Sequence, residues 1–368
     1  MTDEQPTPLE TEIRRRIAGD GPMPVAEFMA LCLYDPDHGY YSRRMPFGAA
    51  GDFVTAPEVS QMFGELVGLW AVTAWRAMGE PNPVQLIEMG PGRGTMMFDM
   101  LLAARTVPEF RKALRVHLIE KSLDLQMRQR QTLAGVTDVV LRWHGTMEEV
   151  PSGHAIIVAN EFFDALPIRQ AERCSDGWHE RAIGINAGDQ LALTALDKPI
   201  AGFEADLPRS VRKAPVGSIF EWRSGEFIDK IARRAASDGA ALIIDYGHAA
   251  SSVGDTFQAV RSHRYASPMA LPGLTDLTAH VDFEALARAA RKVGARVHGP
   301  VDQGTFLKRL GIETRAATLQ ARAAEEKRSS VAVALARLIG TGSSEMGALF
   351  KAIAFSAQRI DALPGFVA

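Results

Sequence analysis

The sequence has few cysteines, no long apolar run and no excess of one charge, and each absence argues against a class of protein. Its only cysteines, Cys32 and Cys174, cannot build a disulfide framework and have no cysteine or histidine nearby at metal-site spacing. We therefore expect a reducing compartment and no metal site. The formal charge is -3 and the basic residues are scattered, so no basic stripe indicates nucleic-acid binding.

The longest apolar run, residues 66–75, is shorter than the roughly 18 residues that indicate a membrane-spanning helix, so no span is predicted. Residues 1–12 contain four carboxylates and two prolines, unlike a secretory or mitochondrial presequence. With the Ala- and Arg-rich composition, this leads us to expect a bacterial cytoplasmic protein. The 368 residues, 46% of them apolar, are enough for a substantial core in one elaborated domain or two.

An apolar strand pattern runs into an acidic, glycine-studded turn, spelled Leu86-Ile87-Glu88-Met89-Gly90-Pro91-Gly92-Arg93-Gly94. Glycine has no side chain to hold a ligand away, and it adopts positive φ angles easily. The dinucleotide-binding pattern G-x-G-x-x-G would need a glycine where the chain has Thr95, and Glu88 would repel a pyrophosphate. The pattern predicts a cofactor-binding turn with a helix from Thr95, in which Glu88, Gly90, Gly92 and Gly94 bind the cofactor.

Two further strand patterns follow the turn. Val116–Glu120 ends in a carboxylate, and in a β-α-β unit that position can reach the ribose of a ligand lying over the first turn. Glu120 is therefore the predicted ribose ligand. The strand pattern Val139–Trp143 leads into candidate adenine contacts, of which Met147 is preferred, although a purely structural loop fits as well; the candidates are His144, Thr146 and Met147.

A fourth apolar pattern, Ala155–Asn160, breaks into a polar and aromatic turn. At this edge of a sheet, side chains can orient an acceptor against a bound cofactor. Glu161 and Asp164 are three positions apart and would share a face if a helix began there. Two carboxylates that close suit a cationic acceptor, so both are predicted catalytic residues, with helix capping as the alternative for Asp164.

The order of these motifs resembles the MidA-type methyltransferases that use S-adenosylmethionine (SAM), a family that includes the mitochondrial protein-arginine methyltransferase needed for respiratory complex I assembly. The glycine turn is similar to motif I of class I SAM methyltransferases. The motifs that carry the resemblance are Gly51–Glu65, Ile87–Gly94, Asn160–Pro167, Ile244–His248, Asp276–Phe283 and Gln303–Leu307.

The resemblance implies methyl transfer from SAM to an arginine of a partner protein, such as a complex I subunit. A guanidinium is a poor nucleophile while its charge is delocalised, so carboxylates such as Glu161 and Asp164 would orient it and help to remove its proton. Near the first motif, Pro57 precedes a helical pattern over 60–75, which would bring further candidates to the amino-acid end of SAM: Asp52, Thr55 and Gln61.

The predicted fold is α/β, a doubly wound Rossmann-like sheet of the class I SAM-methyltransferase type, with a helical N-terminal region and an antiparallel β insertion. The predicted segments are a helical flank or lid (1–80), the first half of the core (81–170), an inserted subdomain on the substrate side (171–239) and the second half of the core with a helical insertion (240–368). A helical stretch is expected over 305–339.

Several residues and alternatives stay open. Asp245 either contacts substrate or shapes a turn, while His280 and Asp282 are functional or structural, Asp282 then as a helix N-cap. A nicotinamide-dependent oxidoreductase would use the same scaffold. A SAM-binding assembly factor without catalysis is the other alternative. The sequence does not identify the client protein or the oligomeric state.

Overall fold

The computed structural model describes residues 5–43, 55–261, 264–343 and 345–367, which form two compact units. The first unit contains the described residues of Met1–Phe53, Asp164–Ser224 and Ala250–Asp282. The second contains those of Val54–Phe163, Gly225–Ala249 and Phe283–Ala368.

The helices are α1 (Pro8–Asp20), α2 (Val25–Tyr34), α3 (Tyr40–Arg43), α4 (Ala56–Val59), α5 (Gln61–Ala77), α6 (Thr95–Ala104), α7 (Pro108–Ala113), α8 (Leu123–Thr132), α9 (Phe203–Asp206), α10 (Glu226–Asp238), α11 (Phe283–Lys292), α12 (Gln303–Arg309), α13 (Ile312–Arg322), α14 (Glu325–Ile339) and α15 (Met346–Leu349). The strands are β1 (Met23–Pro24), β2 (Val84–Met89), β3 (Leu114–Ile119), β4 (Val140–His144), β5 (Ala155–Asn160), β6 (Ile168–Cys174), β7 (Gly177–Ile185), β8 (Leu191–Pro199), β9 (Ile219–Arg223), β10 (Gly239–His248), β11 (Gln258–Arg261), β12 (Arg264–Ala266), β13 (Asp276–Thr278), β14 (Val281–Asp282), β15 (Arg296–Asp302) and β16 (Phe350–Ser356).

The second unit is built on a sheet with the strand order β15-β16-β10-β5-β2-β3-β4. From β10 to β4 neighbouring strands are parallel, whereas β16 runs antiparallel to both β10 and β15. All six residues of β2 and of β5 are buried, as expected for central parallel strands covered on both faces. The carboxyl ends of β2, β3, β4, β5 and β10 therefore meet at one edge of the sheet.

Two glycines let α5 pack closely against α6 in this unit. A Cβ atom added at Gly64 would lie 2.6 Å from the Cβ of Asp99, and one at Gly68 would lie 2.7 Å from the Cα of Met100. Ser60 caps α5 by accepting a hydrogen bond from the Met62 N–H at 3.2 Å. Larger side chains at the two glycines would push the helices apart.

The first unit consists of N-terminal helices and antiparallel sheets. One sheet has the order β1-β7-β6-β9 with β8 beside β7, and another has the order β12-β11-β13. The pairings in both are antiparallel. Side chains from α1 and α2 share an apolar core with those sheets, including Ile13, Phe28, Ile183 and Leu277.

The predicted fold class is confirmed, including the antiparallel insertion. The helical stretch predicted over 305–339 is divided among α12, α13 and α14. The two units group residues differently from the predicted segments, because residues of 1–80 belong to both units and residues 225–239 belong to the second. Within the described ranges, no helix combines the length and apolarity needed to cross a bilayer.

Candidate functional site

The predicted turn lies between β2 and α6, and its conformation requires glycine. The φ angles are +61° at Gly90, +52° at Gly92 and +80° at Gly94, a region that side chains with a Cβ disfavour. A Cβ at Gly90 would also lie 2.9 Å from Cδ2 of Phe162. The turn is closed by a hydrogen bond from the Gly94 N–H to the Pro91 carbonyl at 2.7 Å, and α6 begins at Thr95 as predicted.

Glu88 is buried in β2, just before this turn, with 2% of its surface exposed. One carboxyl oxygen, Oε2, has no hydrogen-bond partner among the described residues. Burial raises the pKa of Glu88 from 4.5 to about 8, because the charged form loses its hydration. A buried acceptor of this kind fits a ligand that brings a positive charge or a hydrogen-bond donor.

Glu120 follows β3 at the same sheet edge and is held by its own neighbours. Its Oε1 accepts from the Ser122 N–H at 2.9 Å, and its Oε2 from Nε2 of Gln129 at 3.3 Å. Burial raises the pKa of Glu120, and these hydrogen bonds oppose that shift. The carboxylate is thus partly satisfied and keeps lone pairs for hydroxyl donors of a ligand.

The three candidate adenine contacts lie at the end of β4 and in the loop that follows it. Nε2 of His144 lies 2.9 Å from Nδ1 of His117, whose pKa burial lowers to about 4. The Thr146 hydroxyl bonds Oε1 of Glu149 at 3.4 Å. Met147 is 9% exposed in a 3-10 turn. An adenine contact by Met147 therefore stays a prediction.

The motif near the start of α4 is described only in part, since Asp52 lies outside the described residues. Thr55 is the N-cap residue of α4, although its side chain makes no capping bond. Gln61 donates to Oε1 of Glu65, one turn along its own helix, at 3.2 Å. Arg93, between the turn glycines, pairs with Glu58 of α4 at 3.3 Å and so links α4 to the turn.

No helix begins at Glu161, so the helix face that Glu161 and Asp164 would have shared is not formed, and residues 161–167 form bends and turns instead. Glu161 has a φ of +49°, which a helix cannot contain. Its Oε1 accepts from the Ala56 N–H at 2.9 Å and from Nδ2 of Asn160 at 3.1 Å. The Glu161 carboxylate therefore caps α4, a structural role that the sequence did not suggest.

Asp245, at the carboxyl end of β10, organises the same turn. Its Oδ2 accepts from the N–H groups of Phe162 and Phe163, at 3.1 and 2.8 Å, and its Oδ1 accepts from the Tyr246 N–H at 2.8 Å. The side chain is fully buried. Of the two roles open for Asp245, the geometry supports the shaping of a turn.

Asp164 lies in the first unit, where burial raises its pKa to about 6 and the guanidinium of Arg223 opposes the shift. Arg223 also donates to four main-chain carbonyls, at 2.6 to 3.4 Å: those of Asp164, Leu166, Ala279 and His280. It thereby joins two of the motifs singled out in the sequence. Asp282, from the second of these, accepts from the Ser251 hydroxyl at 2.6 Å.

The fold and the turn together fit an enzyme with a nucleoside cofactor, of the SAM-methyltransferase type. A family model described as putative S-adenosyl-L-methionine-dependent methyltransferase matches residues 66–301. The chain belongs to this family: it is a SAM-dependent methyltransferase, and its cofactor is SAM.

Named relatives and a solved structure agree with this assignment. The chain is 36% identical to the mitochondrial protein arginine methyltransferase NDUFAF7 homolog of Drosophila melanogaster, over 94% of this chain and 84% of the relative. It is 35% identical to mitochondrial NDUFAF7 of Homo sapiens, over 84% and 74% of the two chains. A Burkholderia thailandensis protein crystallised with S-adenosyl-homocysteine is 30% identical, with a TM-score of 0.86 over 99% of this chain and 97% of that one.

Proposed function

We propose that this methyltransferase transfers the methyl group of SAM to an arginine guanidinium of a partner protein, with SAM lying against the turn after β2. The left-handed glycines carry the placement of SAM, because they leave the main chain of the turn bare at the carboxyl edge of the sheet. When bound, SAM supplies an electrophilic methyl group on a sulfonium. The names of the relatives support arginine as the acceptor.

Glu88 and Glu120 are the proposed polar ligands of SAM. Oε2 of Glu88, which has no hydrogen-bond partner within the described ranges, suits the cationic amino-acid end of SAM, since a buried carboxylate is stabilised by an opposite charge. Glu120 is oriented by Ser122 and Gln129, and its remaining lone pairs suit the two ribose hydroxyls. Thr55, Asp52 and Met147 remain proposed ligands on the strength of the sequence motifs.

Glu161 and Asp164 are the proposed catalytic carboxylates. A guanidinium has a pKa above about 12, so its reaction with a methyl group needs a carboxylate that localises the charge and accepts a proton. Asp164, with a pKa of about 6, is mostly ionised at neutral pH and can take that proton. Glu161 is held rigidly by the Ala56 N–H, which fixes the position of its charge.

The test compares Glu161→Gln and Asp164→Asn with Glu313→Gln, a variant at an exposed position on α13. Glutamine at 161 keeps an oxygen that can accept from the Ala56 N–H, so the turn is retained while the charge is lost. We expect SAM affinity to change little and methyl transfer to protein arginine to fall by about 10²- to 10⁴-fold in both site variants. Methyl-arginine mass spectrometry on cells with and without each variant measures the transfer. Full methylation by either variant would remove that residue from the mechanism, and an absence of methyl-arginine with the intact protein would favour an assembly factor.

We also propose a partner protein and a cellular compartment for this methyltransferase. The family resemblance supports a respiratory complex I subunit as the partner, and the two free cysteines support a reducing compartment such as the bacterial cytoplasm; the named relatives are mitochondrial. Enrichment of complex I followed by methyl-arginine mapping tests the partner. A site that is methylated only when this chain is present is the expected result.

A further inference from the structure

Gln129, which lies outside the motifs named in the sequence analysis, connects three parts of the proposed SAM-binding site. It lies on α8 and is fully buried. Its Nε2 donates to the main-chain carbonyl of Gly92 at 2.8 Å and to Oε2 of Glu120 at 3.3 Å. Its Oε1 accepts from the indole N–H of Trp143, on β4, at 2.9 Å.

Trp143 determines which way the Gln129 amide points. An indole nitrogen can only donate, so the amide oxygen must face Trp143 and the NH₂ group must face the two acceptors. Both hydrogens of that group then have a partner, one on Gly92 and one on Glu120. The guanidinium carbon of Arg130 lies 3.9 Å from the centre of the Trp143 ring, which holds the indole in place.

The contact with the glycine turn is also close in space. A Cβ added at Gly94 would lie 3.4 Å from both Cα and Cγ of Gln129. The turn therefore packs directly on this side chain, and the hydrogen bond to Gly92 fixes the orientation of a carbonyl within it. Removal of the amide would free that carbonyl and one oxygen of Glu120 together.

We propose that Gln129 is a positioning residue for the methyl donor, which sets the shape of the glycine turn and the orientation of the Glu120 carboxylate toward the ribose. This inference rests on the proposed placement of SAM. Gln129 acts through Gly92 and Glu120, and Trp143 keeps its amide in the working orientation.

The experiment measures calorimetric affinity for S-adenosyl-homocysteine and for its analogues that lack the 2′- or the 3′-hydroxyl. In the wild type, loss of a hydroxyl bound by Glu120 should weaken binding by about tenfold. In Gln129→Leu, the parent ligand should bind about 30-fold more weakly, and discrimination against the deoxy analogues should fall below about threefold, because Glu120 loses the hydrogen bond from Gln129 and keeps only the one from Ser122. A purely structural loss would weaken all three ligands equally and keep the discrimination, which would overturn the proposal.

Controls separate this inference from the placement of SAM. Gln131→Leu, at an exposed position on the same helix, should bind all ligands as the wild type does. Gly92→Val should abolish binding; unchanged affinity in that variant would refute the placement of SAM, whatever Gln129→Leu does. If Gln129→Leu does not fold, Trp143→Phe carries the test, because it keeps Gln129 and an aromatic ring at position 143 while it removes the indole N–H that orients the Gln129 amide. Unchanged discrimination in Trp143→Phe would then overturn the proposal.

Discussion

The sharpest prediction concerns Glu88 and the pH dependence of SAM binding. Without a ligand, Glu88 has a pKa of about 8, raised by burial, so at pH 7 about nine molecules in ten carry it protonated. If the cationic end of SAM binds the ionised form, binding must release that proton below pH 8. We therefore expect the affinity for SAM to rise with pH until Glu88 is ionised without the ligand.

The size of the effect follows from the pKa. If only the ionised form binds, the affinity at pH 6.5 should be roughly 25-fold lower than at pH 8.5. Glu88→Gln keeps the size of the side chain but cannot ionise, so the part of the pH dependence that belongs to Glu88 should vanish. Any titration of SAM itself remains in this variant, which makes the difference between the two proteins the quantity to interpret.

Stability of the ligand-free protein gives a second measurement with a defined sign. The folded state holds the Glu88 proton more tightly than the unfolded chain, where the pKa is near 4.5. Protonation of Glu88 therefore contributes to the free energy of unfolding. This contribution is fully present below pH 4.5 and is lost as pH rises to about 8, and the loss amounts to at most roughly 5 kcal/mol. Wild type should therefore lose stability relative to Glu88→Gln across this range.

Isothermal titration calorimetry in buffers of different ionisation enthalpy measures both affinity and proton release. Near pH 7 we expect close to one proton released per SAM bound by the wild type beyond the number released by Glu88→Gln. Parallel pH profiles for the two proteins, with equal proton release, would refute the assignment of Glu88 to the cationic end of SAM.

Two further predictions test the supporting structure. Gly90→Ala should destabilise the protein by about 1–2 kcal/mol because of the left-handed backbone, and it should move the ring of Phe162 and weaken SAM binding. Gly135→Ala, where a Cβ meets nothing within 4 Å, should have none of these effects. Equal melting temperatures and SAM affinities in the two variants would contradict the proposed role of the turn. Arg223→Lys should destabilise the protein by about 2–4 kcal/mol, because one ammonium cannot reach four carbonyls. The melting temperature measures this loss of stability, with Arg212→Lys as the comparison. Equal decreases in melting temperature for the two variants would contradict the importance of the hydrogen bonds from Arg223 to the four carbonyls.

The sheet and the turn could be predicted from sequence because their signals are local. The strand β5 reads as an unbroken apolar run, and the glycine spacing after β2 needs only a few adjacent residues to be recognised. The place of Glu120 at the sheet edge also follows from local order, since it comes directly after a strand of the same parallel sheet.

The side chains that hold the site in place could not be predicted, because their hydrogen-bond partners are distant in the sequence. Gln129 looks like any polar residue of a surface helix until the fold places it against Gly92 and Glu120. Arg223 gives no sign in the sequence of its contact with Ala279 and His280. A side chain acquires such a role only when tertiary packing brings the carbonyls to it.

The turn after β5 shows why residue spacing alone could not indicate the conformation at Glu161 and Asp164. Pro167 follows closely and disfavours helical geometry in the residue before it, so a helix from Glu161 would have room for little more than one turn. Such a short helix gains few hydrogen bonds of its own, whereas Ile244 accepts from the Glu161 N–H and Asp245 accepts from the next two N–H groups. These bonds stabilise the irregular turn and offset the unfavourable φ of Glu161. The main chain and the Asp245 side chain of β10 thus stabilise the unfavourable backbone conformation of Glu161.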